Sequence, residues 1–400
     1  MNRGSWISML SALVVSAAGL AGAQGIENTP ETVVFSVEGN ARFDDNRDAT
    51  RSGKESQVTL RFTPGARLNL DDNDTRFFLM YKPSGIWRDN TRDDQNETEL
   101  YHLAEANVEH WASERLRLGA FNRFEMTDDP NVTAGGVTVR ESTSYWLNQS
   151  KGWMAYALSE RLQYDIDGSY LIKRYEDNDF EDAADENRLV VNTGLRYKLE
   201  PDLQTFGFVG YDRPTFESDA RGDYHGYLAG GGVTRTFSDR LSGTVAAGYK
   251  LLEYSDADDD SEGLPFFQLI GEYRLTSNLR LQAQADYSLE PSDRAYYSSK
   301  EYSRLLLRGL YTITDSLIAD AQVVFANGAY DASTATEEGE AVPDLEEGDD
   351  TLVDYQAGLT FRPKARRYYG RVAYEYEDWT SDVRESFARN TVSAMVGMEF

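Results

Sequence analysis

One sequence motif recurs six times in this chain: a short polar turn, a leucine, and an aromatic residue eight positions beyond the leucine. Because side chains alternate between the two faces of a β-strand, an offset of eight places both residues on the same face. Eight strand residues at a tilt near 40° cover roughly 20 Å of height, which nearly fills the apolar band of an outer-membrane β-barrel. The pairs are Leu116/Phe124, Leu162/Tyr170, Leu203/Tyr211, Leu241/Tyr249, Leu279/Tyr287 and Leu317/Phe325.

The residues between each leucine and its aromatic alternate between apolar and polar. A soluble β-sandwich would give the same alternation, so the pattern alone does not decide between the two folds. Small and medium apolar residues over a constant height, with aromatics at one end, favour the membrane barrel. We therefore predict that the six aromatics form a lipid-facing belt. We also predict that Phe400, which ends the last alternating segment, is the C-terminal signal for barrel assembly.

The first 23 residues have the features of a secretory signal peptide. A positively charged start at Arg3 is followed by an apolar run from Trp6 to Leu20 and by the cleavage sequence Ala21-Gly22-Ala23. We predict a signal peptide over residues 1–23 and a single transmembrane β-barrel domain over residues 24–400. The chain has no cysteine, so disulfides, thiol catalysis and cysteine-based metal sites are excluded.

Eight short turns alternate with nine longer, more polar loops along the chain. The loops are predicted near residues 43–54, 88–97, 127–140, 177–187, 218–222, 255–264, 291–300, 330–351 and 379–388. This alternation predicts an all-β, antiparallel barrel of 18 strands, with 16 as the next best count, short periplasmic turns and long acidic extracellular loops. Successive marker leucines lie 46, 41, 38, 38 and 38 residues apart. That spacing also suits a propeller, but a propeller blade would need four strands where two long ones fit.

The net charge of −28 is concentrated in three hydrophilic segments. Residues 176–186 carry seven acids, residues 255–262 five and residues 331–350 nine, with no Lys or Arg among them. We interpret them as solvated surface loops, with divalent-cation binding as the alternative. A strongly acidic exterior argues against nucleic-acid binding.

The sequence offers little for catalysis. The three histidines are His102, His110 and His225, of which only His225 has an acid, Asp223, on the same face of a predicted strand. Such an arrangement is more often a polar pair at the rim of a barrel than the active site of a hydrolase. No nucleotide-binding or H-E-x-x-H motif occurs, so we predict no enzyme activity, no cofactor and no metal centre.

Strand parity predicts a charged lumen. The predicted pore-lining residues are Arg188, Arg196, Arg235, Lys250, Arg274, Arg280, Arg304, Arg308, Arg371, Asp165, Asp167 and Asp286. Lys198, Arg389, Asp320, Glu375 and Glu399 have the same parity on their own strands. One interpretation is a solvated pore wall whose charges neutralise one another. The other is a row of basic residues that binds anionic sugars, since arginine is suited to carboxylates and phosphates. The inward aromatics Phe206, Phe208, Phe266 and Tyr369 suit sugar stacking or simple filling of space.

Three hairpins carry a family resemblance. They share one motif, which occurs at Gly194 to Leu203 with Gly210-Tyr211, at Phe237 to Leu241 with Gly248-Tyr249, and at Tyr273 to Leu279 with Tyr287. Over roughly residues 110–330, the motif resembles that of β-barrel porins whose genes lie beside bacterial exopolysaccharide and exosortase gene clusters. The resemblance implies an outer-membrane porin, with polysaccharide passage as a further implication.

The sequence therefore predicts a channel in the outer membrane of a Gram-negative bacterium that passes small hydrophilic solutes by passive diffusion. The alternatives are a dedicated channel for an anionic oligo- or polysaccharide, a non-conducting structural or adhesive barrel and, last, a membrane-embedded hydrolase. The expected partners are outer-membrane lipids and lipopolysaccharide, the barrel assembly machinery, and small solutes or oligosaccharides, with divalent cations possible at the acidic loops.

Overall fold

A computed structural model describes the chain over residues 32–91, 97–127, 133–134, 137–138, 144–175, 185–216, 223–255, 261–292, 297–332, 336–337, 340–341, 348–363, 367–383 and 385–400. The predicted signal peptide and most of the three acidic segments lie outside the described residues. Within the described residues, no helix is long and apolar enough to cross a membrane.

Eighteen long strands account for most of the described residues. They are β1 (Val33–Asp44), β2 (Gln57–Asp71), β3 (Thr75–Arg88), β4 (Thr98–Trp111), β5 (Leu116–Thr127), β6 (Tyr145–Ala157), β7 (Leu162–Tyr175), β8 (Glu186–Glu200), β9 (Leu203–Phe216), β10 (Tyr224–Ser238), β11 (Leu241–Tyr254), β12 (Ser261–Arg274), β13 (Leu279–Pro291), β14 (Tyr297–Thr314), β15 (Leu317–Ala332), β16 (Gly348–Phe361), β17 (Tyr368–Ser381) and β18 (Phe387–Glu399). Two-residue ribbons add Thr133–Ala134 with Val137–Thr138 and Thr336–Glu337 with Glu340–Ala341.

Each strand pairs antiparallel with the next one in the chain, and β18 pairs with β1 to close the barrel. At the closure the backbone N–H groups of Phe35 and Phe400 each donate to the other residue's carbonyl at 2.9 Å. Their rings stack with centroids 6.3 Å apart. Closure leaves no strand edge with unpaired backbone groups, which a lipid environment requires. The prediction of an 18-stranded antiparallel barrel is confirmed.

The marker leucines lie where their strands begin. Leu116, Leu162, Leu203, Leu241, Leu279 and Leu317 are the first residues of β5, β7, β9, β11, β13 and β15. Four of the turns hold the leucine through a hydroxyl three residues earlier: the leucine N–H donates to Oγ of Ser113, Ser159 or Ser238, or to Oγ1 of Thr276, at 3.0 to 3.2 Å. This local bond explains why a serine or threonine opens these turns.

The short turns lie together at one end of the barrel, called the turn end below, and the longer connections at the other, the loop end. Along every strand the side chains alternate between an outer and an inner face. Outward residues such as Val209, Val233 and Leu307 are exposed large hydrophobics, whereas the inner face is mainly polar. This distribution, apolar outside and polar inside, is that of a transmembrane barrel.

Candidate functional site

Most of the predicted inner-wall cations are neutralised by an acid on a strand one or two positions away. Arg196 Nε lies 2.9 Å from Asp165, and Arg304 lies 2.9 Å from Asp286. Arg188 donates from Nε to Asp212 at 2.8 Å, Arg371 donates to Asp320 at 2.6 Å, and Lys250 lies 3.2 Å from Glu290. Charge pairs of this kind give the wall strong local dipoles with little net charge.

The acids of the wall are also held by neutral donors. Asp167 accepts a hydrogen bond from Asn192 Nδ2 at 3.0 Å. Asp286 accepts from Gln268 and Gln284 at 2.9 Å in addition to its arginine partner. Glu375 accepts from Gln356 at 2.8 Å, and Arg389 is buried against Glu377. The inner wall is therefore a hydrogen-bonded lattice in which the acid positions are fixed.

The remaining predicted arginines differ in whether an acid lies near them. Arg274 and Arg280 lie at the turn end, half exposed, and both approach Glu272, at 3.9 and 3.3 Å. The strand partners of Arg308 on β13 and β15 are Gln282 and Gln322. No described carboxylate lies within ion-pair distance of Arg308. This residue is thus an uncompensated positive charge on the part of the wall that the structure describes.

Arg235 requires a correction, because the register places it on the outer face. It lies opposite Leu203 on β9, in the same series as the exposed Val233 and Phe237, whereas the buried Thr234 belongs to the inner series. Its guanidinium lies 5.5 Å from the ring of Phe237 and 3.9 Å from Asp202, which is in the turn. The position at the end of the strand allows the long side chain to reach polar surroundings.

The six predicted belt aromatics lie within their strands on the outer series. Tyr170, Tyr249 and Phe325 are exposed, and Phe124, Tyr211 and Tyr287 are half-buried. Two of the tyrosine hydroxyls meet polar groups on the next strand: Oη of Tyr211 lies 2.8 Å from Nδ1 of His225, and Oη of Tyr287 donates to Glu301 at 3.0 Å. A tyrosine with an apolar ring and a hydrogen-bonded hydroxyl suits the boundary between lipid and water.

The histidines show no catalytic arrangement within the described residues. His225 contacts Tyr211, while Asp223 instead accepts a hydrogen bond from the backbone N–H of Phe216 at 2.8 Å. His102 and His110 pair with Tyr81 and Thr75 through Nδ1, at 2.8 and 2.9 Å. The described residues contain no group of three or more potential metal ligands.

The inward phenylalanines fill space. Phe208 and Phe266 are only 5% and 4% exposed and form one cluster with Phe206 and Leu228. Their rings lie against glycines of the neighbouring strands, so that a Cβ atom added at Gly230 would come within 2.7 Å of Phe266 Cζ. Tyr369 instead directs its hydroxyl to Glu38 at 2.6 Å. The buried phenylalanines offer no open ring face on which a sugar could stack.

A further cavity lies elsewhere, on the wall formed by β1 to β5 with β17 and β18. Its volume is about 440 Å³. Glu375 and Arg389, which strand parity predicted to face inward, line it, but none of the other residues predicted to face inward does. The sequence signal was nevertheless present, because Thr59, Arg61 and Thr63 alternate with Leu60 and Phe62. The wall around it carries Lys82 paired with Glu38 at 2.8 Å and Arg88 paired with Glu99 at 3.0 Å.

A closed barrel of 18 strands with an apolar outside and an ion-paired polar inside defines the class of outer-membrane porins. The chain belongs to the family described as "Putative beta-barrel porin 2", which matches residues 22–400. This match confirms the resemblance to β-barrel porins and supports a place in the outer membrane and the passage of small solutes. No curated protein matches the chain.

Several solved porins share the fold at very low sequence identity. OccAB4 of Acinetobacter baumannii is 10% identical with a TM-score of 0.51, over 92% of this chain and 99% of that protein. OccK5 (OpdH) of Pseudomonas aeruginosa is 12% identical with a TM-score of 0.51, over 92% and 98%. OpdK of the same organism, solved with vanillate, is 10% identical with a TM-score of 0.50, over 92% and 99%. At these identities the likeness concerns the fold alone.

Proposed function

We propose that this protein is a channel through which small hydrophilic solutes diffuse passively across the outer membrane. The observation that carries the proposal is the inner wall, where the charged pairs Arg196–Asp165, Arg304–Asp286 and Arg371–Asp320 lie on the inner face of strands at several places around the barrel. Barrels of 16 to 18 strands are wide enough to leave an aqueous channel, and a charged, hydrogen-bonded inner wall suits contact with water.

The remaining parts of the proposal concern topology and targeting. The turn end faces the periplasm and the loop end faces the exterior, as in bacterial barrels with short turns at one rim and long loops at the other. Residues 1–23 direct secretion and are removed, and Phe400 serves the assembly machinery. Lipopolysaccharide contacts the outer belt, and the acidic loops attract divalent cations. The function requires no cofactor and no catalytic residue, and a link to exopolysaccharide stays a prediction.

Liposome swelling and planar-bilayer recording test the proposal together. Purified protein refolded into liposomes should admit small neutral sugars at rates that fall with solute size, without saturation by any one of them. In bilayers it should give discrete conductance steps in potassium chloride. Folded, inserted protein that neither conducts nor admits sugars would instead support a structural or adhesive barrel.

A further inference from the structure

The cavity on the β1–β5 wall has features of a solute-binding site. Its volume of about 440 Å³ falls in the range of small-molecule pockets. Hydroxyl and amide side chains are frequent in its lining and converge from β1, β2, β3 and β18. They are Asn40, Thr59, Thr63, Ser84, Thr391 and Ser393. Such neutral groups both donate and accept hydrogen bonds, as a polyhydroxylated solute requires.

Most cations around this cavity are already paired. Lys82 lies 2.8 Å from Glu38, and Arg42 lies 3.6 Å from Asp44. Arg389 contacts both Asp44, at 3.8 Å, and Glu377. These pairs hold the lining in place and contribute little net charge to a ligand within the cavity.

Arg61 is the exception on this wall. Within the described part of the chain, no carboxylate lies within ion-pair distance of its guanidinium. Its strand partners are Asn40 on β1 and Ile86 on β3, and its neighbours on the same face of β2 are Thr59 and Thr63. An uncompensated guanidinium with the amide of Asn40 and the hydroxyls of Thr59 and Thr63 beside it lacks an anionic partner. The planar fork of arginine is suited to a carboxylate.

We propose that this cavity binds hydroxylated monocarboxylates, that is, sugar acids, with Arg61 holding the carboxylate and the neighbouring hydroxyl and amide groups holding the polyol chain. The inference rests on the proposed channel function and deepens it, because it names a solute class that binds on its way through the lumen. A neutral sugar meets the same hydroxyl groups but offers nothing to Arg61, so it binds more weakly.

Current block in planar bilayers tests the site. Gluconate is the probe, and glucose is its neutral counterpart. Arg61→Gln should weaken block by gluconate about tenfold or more, since hydrogen bonds to charged groups contribute most to such contacts. Arg61→Lys should fall between wild type and Arg61→Gln, because it keeps the charge and loses the fork. Block by glucose should be weak in all three proteins.

Arg308→Gln is the matched control. Arg308 is also an arginine without an ion-pair partner among the described residues, but it lies on β14, outside this cavity. The control should change gluconate block less than twofold. Equal losses in Arg61→Gln and Arg308→Gln would mean that gluconate responds only to the overall charge of the lumen, and would overturn the site.

Calorimetric titration of gluconate into the folded protein in detergent separates this inference from the channel function. Binding that is lost in Arg61→Gln supports the site even if the protein does not conduct. A conducting wild type that binds gluconate no better than glucose rejects the site and leaves the proposed channel intact.

Discussion

At the scale of single residues, the outer face of the barrel should tolerate an added charge less well than the inner face. Leu307 is 44% exposed on the outer face, opposite Ala283 and Val323, midway between the turn end and the aromatic belt. Leu307→Arg should lower the free energy of unfolding by about 2–4 kcal/mol, the cost of a cation near the bilayer midplane. Denaturant titration of the protein folded in lipid vesicles measures the loss.

Gln356→Arg is the control for that experiment. Gln356 is on the inner face, with its amide nitrogen 3.0 Å from Asp354 and 2.8 Å from Glu375. An arginine there faces water and has two carboxylates to pair with, so the stability should change by less than about 1 kcal/mol. Similar losses in the two variants would mean that the inner and outer faces have been assigned wrongly.

A second prediction at this scale concerns glycine. A Cβ atom at Gly230 would lie 2.7 Å from the carbonyl oxygen of Ala247 and 2.7 Å from Phe266 Cζ, closer than packed atoms allow. Gly230→Ala should therefore destabilise the barrel by about 1–3 kcal/mol, the usual cost of overpacking. Gly271→Ala, where no atom lies within 4 Å of the added Cβ, should be neutral or slightly stabilising in the same unfolding assay.

At the scale of elements, the closure between β1 and β18 depends on a few bonds beyond the strand ladder. Asp45, just after β1, accepts hydrogen bonds from the backbone N–H and from Nδ2 of Asn390 on β18, at 2.6 and 2.7 Å. Asp45→Ala leaves both donors without this acceptor and should cost about 1–3 kcal/mol. The temperature at which the folded band on an unheated gel converts to the unfolded one should fall.

Asp71→Ala provides the comparison for the closure. Asp71 makes a single ion pair with Arg76 at 3.4 Å, and both side chains are more than half exposed, so the pair should contribute little. A conversion temperature that falls equally in both variants would contradict a special role for Asp45 in holding β1 to β18.

The strands could be predicted because the apolar–polar alternation of a transmembrane strand marks both its length and which of its side chains face outward. The turn serines and threonines supplied the strand starts, and Leu116, Leu162 and Leu279 are first residues as expected. Arg235 was less predictable. It lies one residue from Thr234 near a strand end, where an outward arginine can still reach water, so its charge misled the assignment. The partners of each inner arginine depend on register between strands, which one sequence does not specify.

The cavity around Arg61 was missed for a related reason. It is built from five consecutive strands and the last two of the chain, which meet only when the barrel closes. Charged residues are about as frequent in these strands as in the strands from β8 to β14, so charge along the sequence does not single them out. Asn40 and Arg61 face one another within the β1–β2 hairpin, but only closure of the barrel brings Ser393 of β18 into the same lining.

At the scale of the whole molecule, the charge is unevenly divided between rim and wall. Residues 176–186, 255–262 and 331–350 carry 21 acids, in segments that join strands at the loop end and in the strand ends beside them, whereas most inner arginines are paired. Fixed charge at the mouth raises the local concentration of counter-ions over about one Debye length. We expect cation preference in dilute salt that weakens as ionic strength rises, measured as the reversal potential across a salt gradient. A preference that did not change with salt would place the selecting charge deep in the lumen.

The paired wall leads to a second expectation for the whole channel. Arg371 and Asp320 form one unit, joined at 2.6 and 2.9 Å by two parallel hydrogen bonds. Arg371→Gln alone leaves a negative charge in the lumen and should shift the reversal potential further toward cations. The double variant Arg371→Gln with Asp320→Asn removes both charges together and should return the reversal potential close to that of wild type. We expect each protein to conduct, so that the comparison isolates net charge from pore shape. A double variant that shifted as far as the single one would mean that the wall acts through individual arginines rather than through neutral pairs.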